Sequence, residues 1–147
     1  MGTSDIYREI ILDYYRNPRN YGKIENPDVS IKDSNPLCGD EIEMQLKVEN
    51  GKIVDIKFTG KGCAISQASA SMLTEMVKDK DINTARNISK DDILESLGLT
   101  SLGPARIKCA LLSLKTFKLA IYTYLAEKLN NEDKLLKEEA NKLFSST

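Results

Sequence analysis

From Glu41 to Thr59 the side chains alternate between apolar and polar with one interruption, and no other stretch restricts the fold as tightly. Ile42, Met44, Leu46 and Val48 alternate with Glu41, Glu43, Gln45 and Lys47, and Val54, Ile56 and Phe58 then alternate with Asp55, Lys57 and Thr59. A period of two marks strands with one buried face, and Asn50-Gly51 between the runs marks a hairpin turn. A two-residue loop on its own would set Leu46 opposite Asp55, mixing apolar and polar residues on one face. The spacing therefore predicts a three-residue loop, Glu49 to Gly51 with Gly51 left-handed, which pairs Leu46 with Val54 and Met44 with Ile56.

Helical periodicity surrounds this hairpin. After Ser4, a suitable N-cap, Ile6, Tyr7, Ile10, Ile11, Tyr14 and Tyr15 recur at helical spacing until Asn17-Pro18 ends the pattern. An arm follows through Pro18, Gly22, Pro27 and Pro36, with an edge strand around Val29 and Ile31. A second helix is predicted over 64–78, rich in small residues that let another backbone approach closely, then short helical pieces over 82–88 and 90–97. Pro104 opens the longest helix, whose stripe of Ile107, Leu111, Leu114, Ile121 and Leu125 runs to Asn130. The Asn130-Asn131 pair suggests a break before a last amphipathic helix at about 132–144. The expectation is an α+β fold in a single domain over 1–147, with a small three-stranded antiparallel sheet packed against several helices.

Composition narrows the function. The 147 residues carry 21 Lys and Arg against 22 Asp and Glu, a net charge of −1, so no field of one sign is available to hold nucleic acid. No stretch reads as the roughly 20 apolar residues of a membrane span, and MGTSDIYREI lacks the basic and apolar regions of a signal peptide, so a cytoplasmic protein is expected. The three cysteines are an odd number with no secretion signal, which argues against a disulfide framework. Histidine is absent, so chemistry must rest on thiolates, carboxylates and lysines.

Each cysteine falls at an element boundary: Cys38 in the loop before the hairpin, Cys63 where a glycine-flanked strand gives way to a helix, and Cys109 near the start of the long helix. Helix N-termini supply partial positive charge and free N–H groups that favour a thiolate. Gly39, Gly60 and Gly62 let main chain approach an anionic sulfur. Asp40, two residues from Cys38 in extended chain, can face the same metal. The candidate ligand set is Cys38, Asp40, Cys63 and Cys109, three thiolates and one oxygen, which suits tetrahedral zinc or a labile iron–sulfur cluster. Spacing alone does not establish it, because 24 residues separate the first two cysteines and 45 the second two.

The wording around the cysteines is more specific. ILDYYRNPRNYG, NPLCGDEI, GKGCAISQASASM and PARIKCALL, in this order and over most of the chain, resemble the IscU, SufU and NifU N-terminal family of iron–sulfur cluster assembly proteins. The resemblance implies the SufE/NifU-like α+β fold, with the three cysteines gathered at one end. It also implies that sulfur arrives as a persulfide from a cysteine desulfurase. A transient 2Fe-2S cluster is then built on the thiols and passed to acceptor apoproteins or carrier proteins. By the same resemblance Asp40 tunes the cluster's lability, Cys38 and Cys109 take part in sulfur chemistry, and Arg106 and Lys108 assist it.

Three features divide the family. Where the IscU branch has histidine before the third cysteine, this chain has Lys108, as SufU does, and SufU proteins bind zinc and accept sulfur. The segment from Lys78 to Pro104 is nonetheless short, as in IscU, and LGPAR stands where IscU carries its chaperone motif LPPVK. Three readings follow: a scaffold for a 2Fe-2S cluster, a zinc-dependent sulfurtransferase that activates the desulfurase, and a structural zinc domain. The scaffold is the main one. Tyr7, Tyr14, Tyr15 and Tyr21 suit core and edge packing or a partner surface, and Leu135, Leu136, Leu143 and Phe144 suit docking on the domain itself or on a partner.

Overall fold

The computed structural model describes residues 3–36, 39–98 and 104–145. Its elements run α1 (Thr3–Arg16), β1 (Val29–Asn35), β2 (Asp40–Glu49), β3 (Lys52–Lys61), α2 (Ala64–Val77), α3 (Ile82–Ala85), α4 (Lys90–Leu97) and α5 (Pro104–Ser145). The sheet is antiparallel in the order β1-β2-β3, as the alternation and the edge-strand reading required.

The hairpin keeps the expected faces by another route. Asn50 and Gly51 have φ of 54° and 76°, so they form the two-residue turn in which both central residues are left-handed, and Glu49 pairs with Lys52. Parity is restored inside the strand: Val48 pairs with Ile53 but Lys47 pairs with Asp55, leaving Val54 as a bulge. Leu46 therefore faces Ile56 and Met44 faces Phe58, two residues along from the expected pairing. Ile53, Ile56 and Phe58 are buried while Val54 is half-buried, a step of three that marks the extra residue.

One face of this sheet supplies Ile42, Met44, Leu46, Ile56 and Phe58 to a core closed by Leu73 and Val77 of α2 and Phe117 and Ile121 of α5. The small residues of α2 act as expected: Ser69 Oγ donates to the Ala110 carbonyl at 2.6 Å and shares a hydrogen bond with Ser113 Oγ at 2.9 Å, tying α2 to α5 inside the core. The arm after α1 covers the free edge of β3. Gly22 N–H donates to the Phe58 carbonyl and Phe58 N–H to the Asn20 carbonyl, and the Tyr21 ring meets Phe58 edge-on at 5.3 Å. Arg19 lies 3.9 Å over the Tyr14 ring, so Tyr14 serves packing, whereas Tyr15 and Tyr21 remain exposed.

α4 is delimited by its termini. Ser89 accepts from Asp92 N–H while Asp92 accepts from Ser89 N–H, and Gly98 closes the helix with φ 66°. Ser89→Ala should cost about 1 kcal/mol in urea unfolding. Hydrogen bonds from the Ser89 backbone and then its hydroxyl hold the Asp92 carboxyl below its usual 3.8. A depressed carboxyl stabilises the fold fully above that value, so the box's contribution should fade as pH falls below 3.8 and be absent from the pH profile of Asp92→Asn.

The break at Asn130-Asn131 does not occur. α5 runs unbroken for 42 residues, and residues 132–144 continue it. Asparagine costs a helix only about 0.7 kcal/mol and neither Gly nor Pro interrupts the segment, while Lys137 pairs with Asp133 one turn away at 3.3 Å. Nor does this end dock on the domain: every residue from 126 to 139 is exposed. The most apolar window of α5 is long enough to cross a membrane, but half of it is buried in the protein, as in a core helix.

Candidate metal centre

Strand register creates the site. Glu41 pairs with Lys61, so Asp40, the first residue of β2, lies beside the chain where it leaves β3 through Gly62 toward α2. Asp40 is 1% exposed, and its Oδ1 accepts a 2.8 Å hydrogen bond from Cys63 N–H. Gly62 makes this approach possible. Its φ is 141°, and a Cβ there would overlap the Asp40 carboxylate. Gly60 is similarly required, since a Cβ would run into the Glu41 carbonyl and Ile42.

Cys63 is the N-cap residue of α2, in extended conformation, and its side chain does not cap the helix. The thiol turns to the carboxylate instead, with Sγ donating to Asp40 Oδ2 at 3.6 Å. Cys109 reaches the same point from α5, in the second turn rather than at the helix end, beyond the first turn where a helix dipole acts. The Ser69–Ser113 pair fixes α5 against α2 directly below it.

One carboxylate oxygen of Asp40, Cys63 Sγ and Cys109 Sγ all lie within 4.8 Å of one another. Two sulfurs bound to one tetrahedral zinc at about 2.3 Å stand roughly 3.8 Å apart, so these three atoms are near the spacing of a single first coordination shell. Two soft thiolates beside one hard oxygen suit zinc or iron and not calcium or magnesium. Access is one-sided, with Cys63 exposed and Cys109 buried. Cys38 lies outside the described residues.

The two basic candidates are not together. Arg106 lines a cavity of about 330 Å³ with Tyr7, Ile65, Leu97 and Gly98, on the α1–α4 side. Lys108 lines a different cleft of about 380 Å³ with Asn35, Ile107, Leu111 and Lys115, toward β1. Sequence reading missed the ion pair of Lys115 with Asp33 at 3.2 Å, which ties α5 to β1, and the buried Ser69–Ser113 clamp. The run SQASASM signalled close helix contact, but no local pattern paired Ser69 with a residue 44 positions away.

Residues 6–131 match the sequence model of the NifU-like N terminal domain. The chain belongs to that family. Its relatives include the zinc-dependent sulfurtransferase SufU of Bacillus subtilis (strain 168), 43% identical over 129 residues that cover 77% of this chain and 87% of SufU. The iron–sulfur cluster assembly scaffold protein IscU of Aquifex aeolicus (strain VF5) is 44% identical over 121 residues, covering 81% of this chain and 76% of IscU. Among solved structures, a candidate iron–sulfur cluster assembly scaffold of the SUF system from Fervidobacterium islandicum AW-1 superposes with a TM-score of 0.69. It is 33% identical and covers 82% of this chain and 99% of that one. In this NifU-like domain the α+β architecture expected from the sequence is thus the family's own, and both branches weighed from Lys108 and the short connector appear among its relatives.

Proposed function

We propose that this NifU-like domain is an iron–sulfur cluster assembly protein that receives sulfur and assembles and transfers a 2Fe-2S cluster. The observation that carries the reading is the meeting of Asp40, Cys63 and Cys109 within 4.8 Å, drawn from β2, the β3–α2 junction and α5. Cys38, two residues before Asp40 in the sequence, is assigned as the third thiolate. The cluster is cargo, so its holder must release it. Three thiolates give affinity for iron, and the one harder oxygen of Asp40 gives a weaker bond that can exchange. Exposure of Cys63 offers the side from which cargo enters and leaves.

Sulfur delivery follows from the thiols. A thiolate of Cys38 or Cys109 attacks the outer sulfur of a persulfide on a cysteine desulfurase; a new S–S bond forms, and the desulfurase thiolate leaves. Lys108, exposed one residue before Cys109, supplies positive charge near the transfer. Arg106 faces another cavity and is assigned a smaller part. Acceptor apoproteins or carriers take the finished cluster. The chain acts as one assembly unit over 1–147 in the cytoplasm, without nucleic acid or membrane as partner.

Anaerobic reconstitution with ferrous iron, cysteine, a desulfurase and an excess of a small dithiol, which reduces the persulfide sulfur to the sulfide of the cluster, is the test. Visible absorption of a 2Fe-2S chromophore should appear in the wild type and weaken in Cys63→Ser and in Cys109→Ser, each of which removes a proposed thiolate ligand. A protein that stays a colourless zinc form throughout would overturn the scaffold reading.

A second reading, a zinc-dependent sulfurtransferase, is favoured by Lys108 at a place where a histidine could have been a metal ligand. Cys38, Asp40, Cys63 and Cys109 would then hold zinc, which would order the site and keep its thiols deprotonated. Desulfurase turnover should rise with the zinc-loaded protein and lose that rise in Cys38→Ala. The structural zinc reading is disfavoured by ligands dispersed over several elements and by an exposed Cys63.

A further inference from the structure

The projecting half of α5 carries a pattern that the metal centre does not use. Tyr122, Leu129 and Leu136 fall seven residues apart and are 61%, 66% and 65% exposed. Ala126, Asp133 and Ala140 follow each of them by four. Steps of four and three repeated in this way follow the two-in-seven spacing of a short coiled-coil seam, with Asp133 as its one charged position, and not the broader stripe of a helix docked on a globular body. The flanking Asn130, Glu132, Lys137 and Glu139 are polar and exposed, which keeps the seam narrow, although Leu135 is an exposed apolar residue outside it.

We propose that this seam pairs with the same seam of a second copy of the chain, antiparallel, about a two-fold axis level with Asn131. The sequence fits itself in that register. Tyr122 meets Ala140 of the second copy, Ala126 meets Leu136 and Leu129 meets Asp133, so each large side chain faces a smaller one, and the axis repeats each layer. A parallel pair would instead stack Ala126 on Ala126 and set two Asp133 carboxylates face to face in the seam, which like charge opposes. In the antiparallel register each Asp133 faces a leucine and its own Lys137, at 3.3 Å, balances its charge, while the two Glu132 that flank the axis lie at the solvated edge of the seam, where salt screens their repulsion. The pairing is isologous and closes at two copies.

Its extent sets its strength. Tyr122 to Ala140 spans about 27 Å at 1.5 Å per residue, with three large side chains from each copy, which places the interface at the small end of specific contacts. A reversible dimer with a dissociation constant on the order of micromolar is expected. The axis lies about 33 Å along α5 from Cys109, so pairing leaves the metal centre free.

Sedimentation equilibrium of the full-length protein over about 1–500 μM tests this, with circular dichroism to confirm folding. The wild type should pass from monomer to dimer across this range, and Leu136→Glu should remain monomeric with its helix signal kept. Leu129→Lys reads the orientation. Antiparallel pairing sets the new lysine against Asp133 of the second copy and should preserve dimerisation, whereas Leu136→Lys, facing Ala126, should weaken it at least about tenfold. A wild type monomeric throughout, a trimer, a dimer indifferent to Leu136→Glu, or Leu129→Lys as disruptive as Leu136→Lys would each overturn the proposal.

Discussion

Gly62→Ala is expected to remove most tight metal binding while leaving the chain folded. The added methyl would overlap the Asp40 carboxylate and meets a backbone at φ 141° that L residues rarely adopt. The strain alone costs about 1–3 kcal/mol. The carboxylate must also move, and with it the hydrogen bond that it accepts from Cys63 N–H. Disturbing a group that positions a ligand, as Gly62 positions Asp40, typically costs about 10–100-fold in metal affinity. Gly51→Ala is the control. Gly51 also has positive φ, at 76°, but its Cβ would meet nothing within 4 Å. It should lower stability by about 1–2 kcal/mol and leave affinity unchanged. Competition with a chromophoric zinc chelator measures both variants. Equal affinity losses in the two would show that backbone strain, and not the Asp40 contact, governs the site.

Phe117→Ala should destabilise the protein more than any change at the metal centre, by about 3–5 kcal/mol, because its ring is fully buried between α5 and the sheet. The same loss should be measured by urea unfolding in metal-loaded and metal-stripped protein. Bound metal adds stability only through its affinity for the folded state, as RT ln(1 + [L]/Kd). The buried apolar cluster of Ile42, Met44, Phe58, Leu73 and Phe117 exists without it. Chelation should therefore lower the unfolding midpoint and leave the far-ultraviolet circular dichroism in place. Collapse of that signal on chelation would make the site structural.

Much of this architecture was legible in the chain because it is written in local patterns. Period-two alternation located β2 and β3, Ser89 and Gly98 bounded α4, and the glycines around Cys63 signalled close backbone approach. What escaped was decided by longer-range geometry. The hairpin needed one extra residue, and only the burial of both Ile53 and Ile56 shows that Val54 takes it within the strand and not in the turn. The Asn130-Asn131 pair looked like a break, yet a weak propensity penalty does not stop a helix flanked by strong helix formers. At the centre, the sequence points to Asp40 through its nearness to Cys38. Its visible partner is Cys63, 23 residues away in sequence and brought close by the β2–β3 register. Arg106 and Lys108, two apart on a helix, necessarily diverge, which their line to different cavities reflects.

The central claim is that Asp40, Cys63 and Cys109 hold one metal. X-ray absorption at the zinc edge of stoichiometrically loaded protein tests it most directly. One ion per chain should show sulfur at about 2.3 Å from Cys63 and Cys109, joined by Cys38, with a single oxygen at about 2.0–2.2 Å that is lost in Asp40→Ala. A first shell with fewer than two sulfurs, or an oxygen shell unchanged by Asp40→Ala, would contradict it.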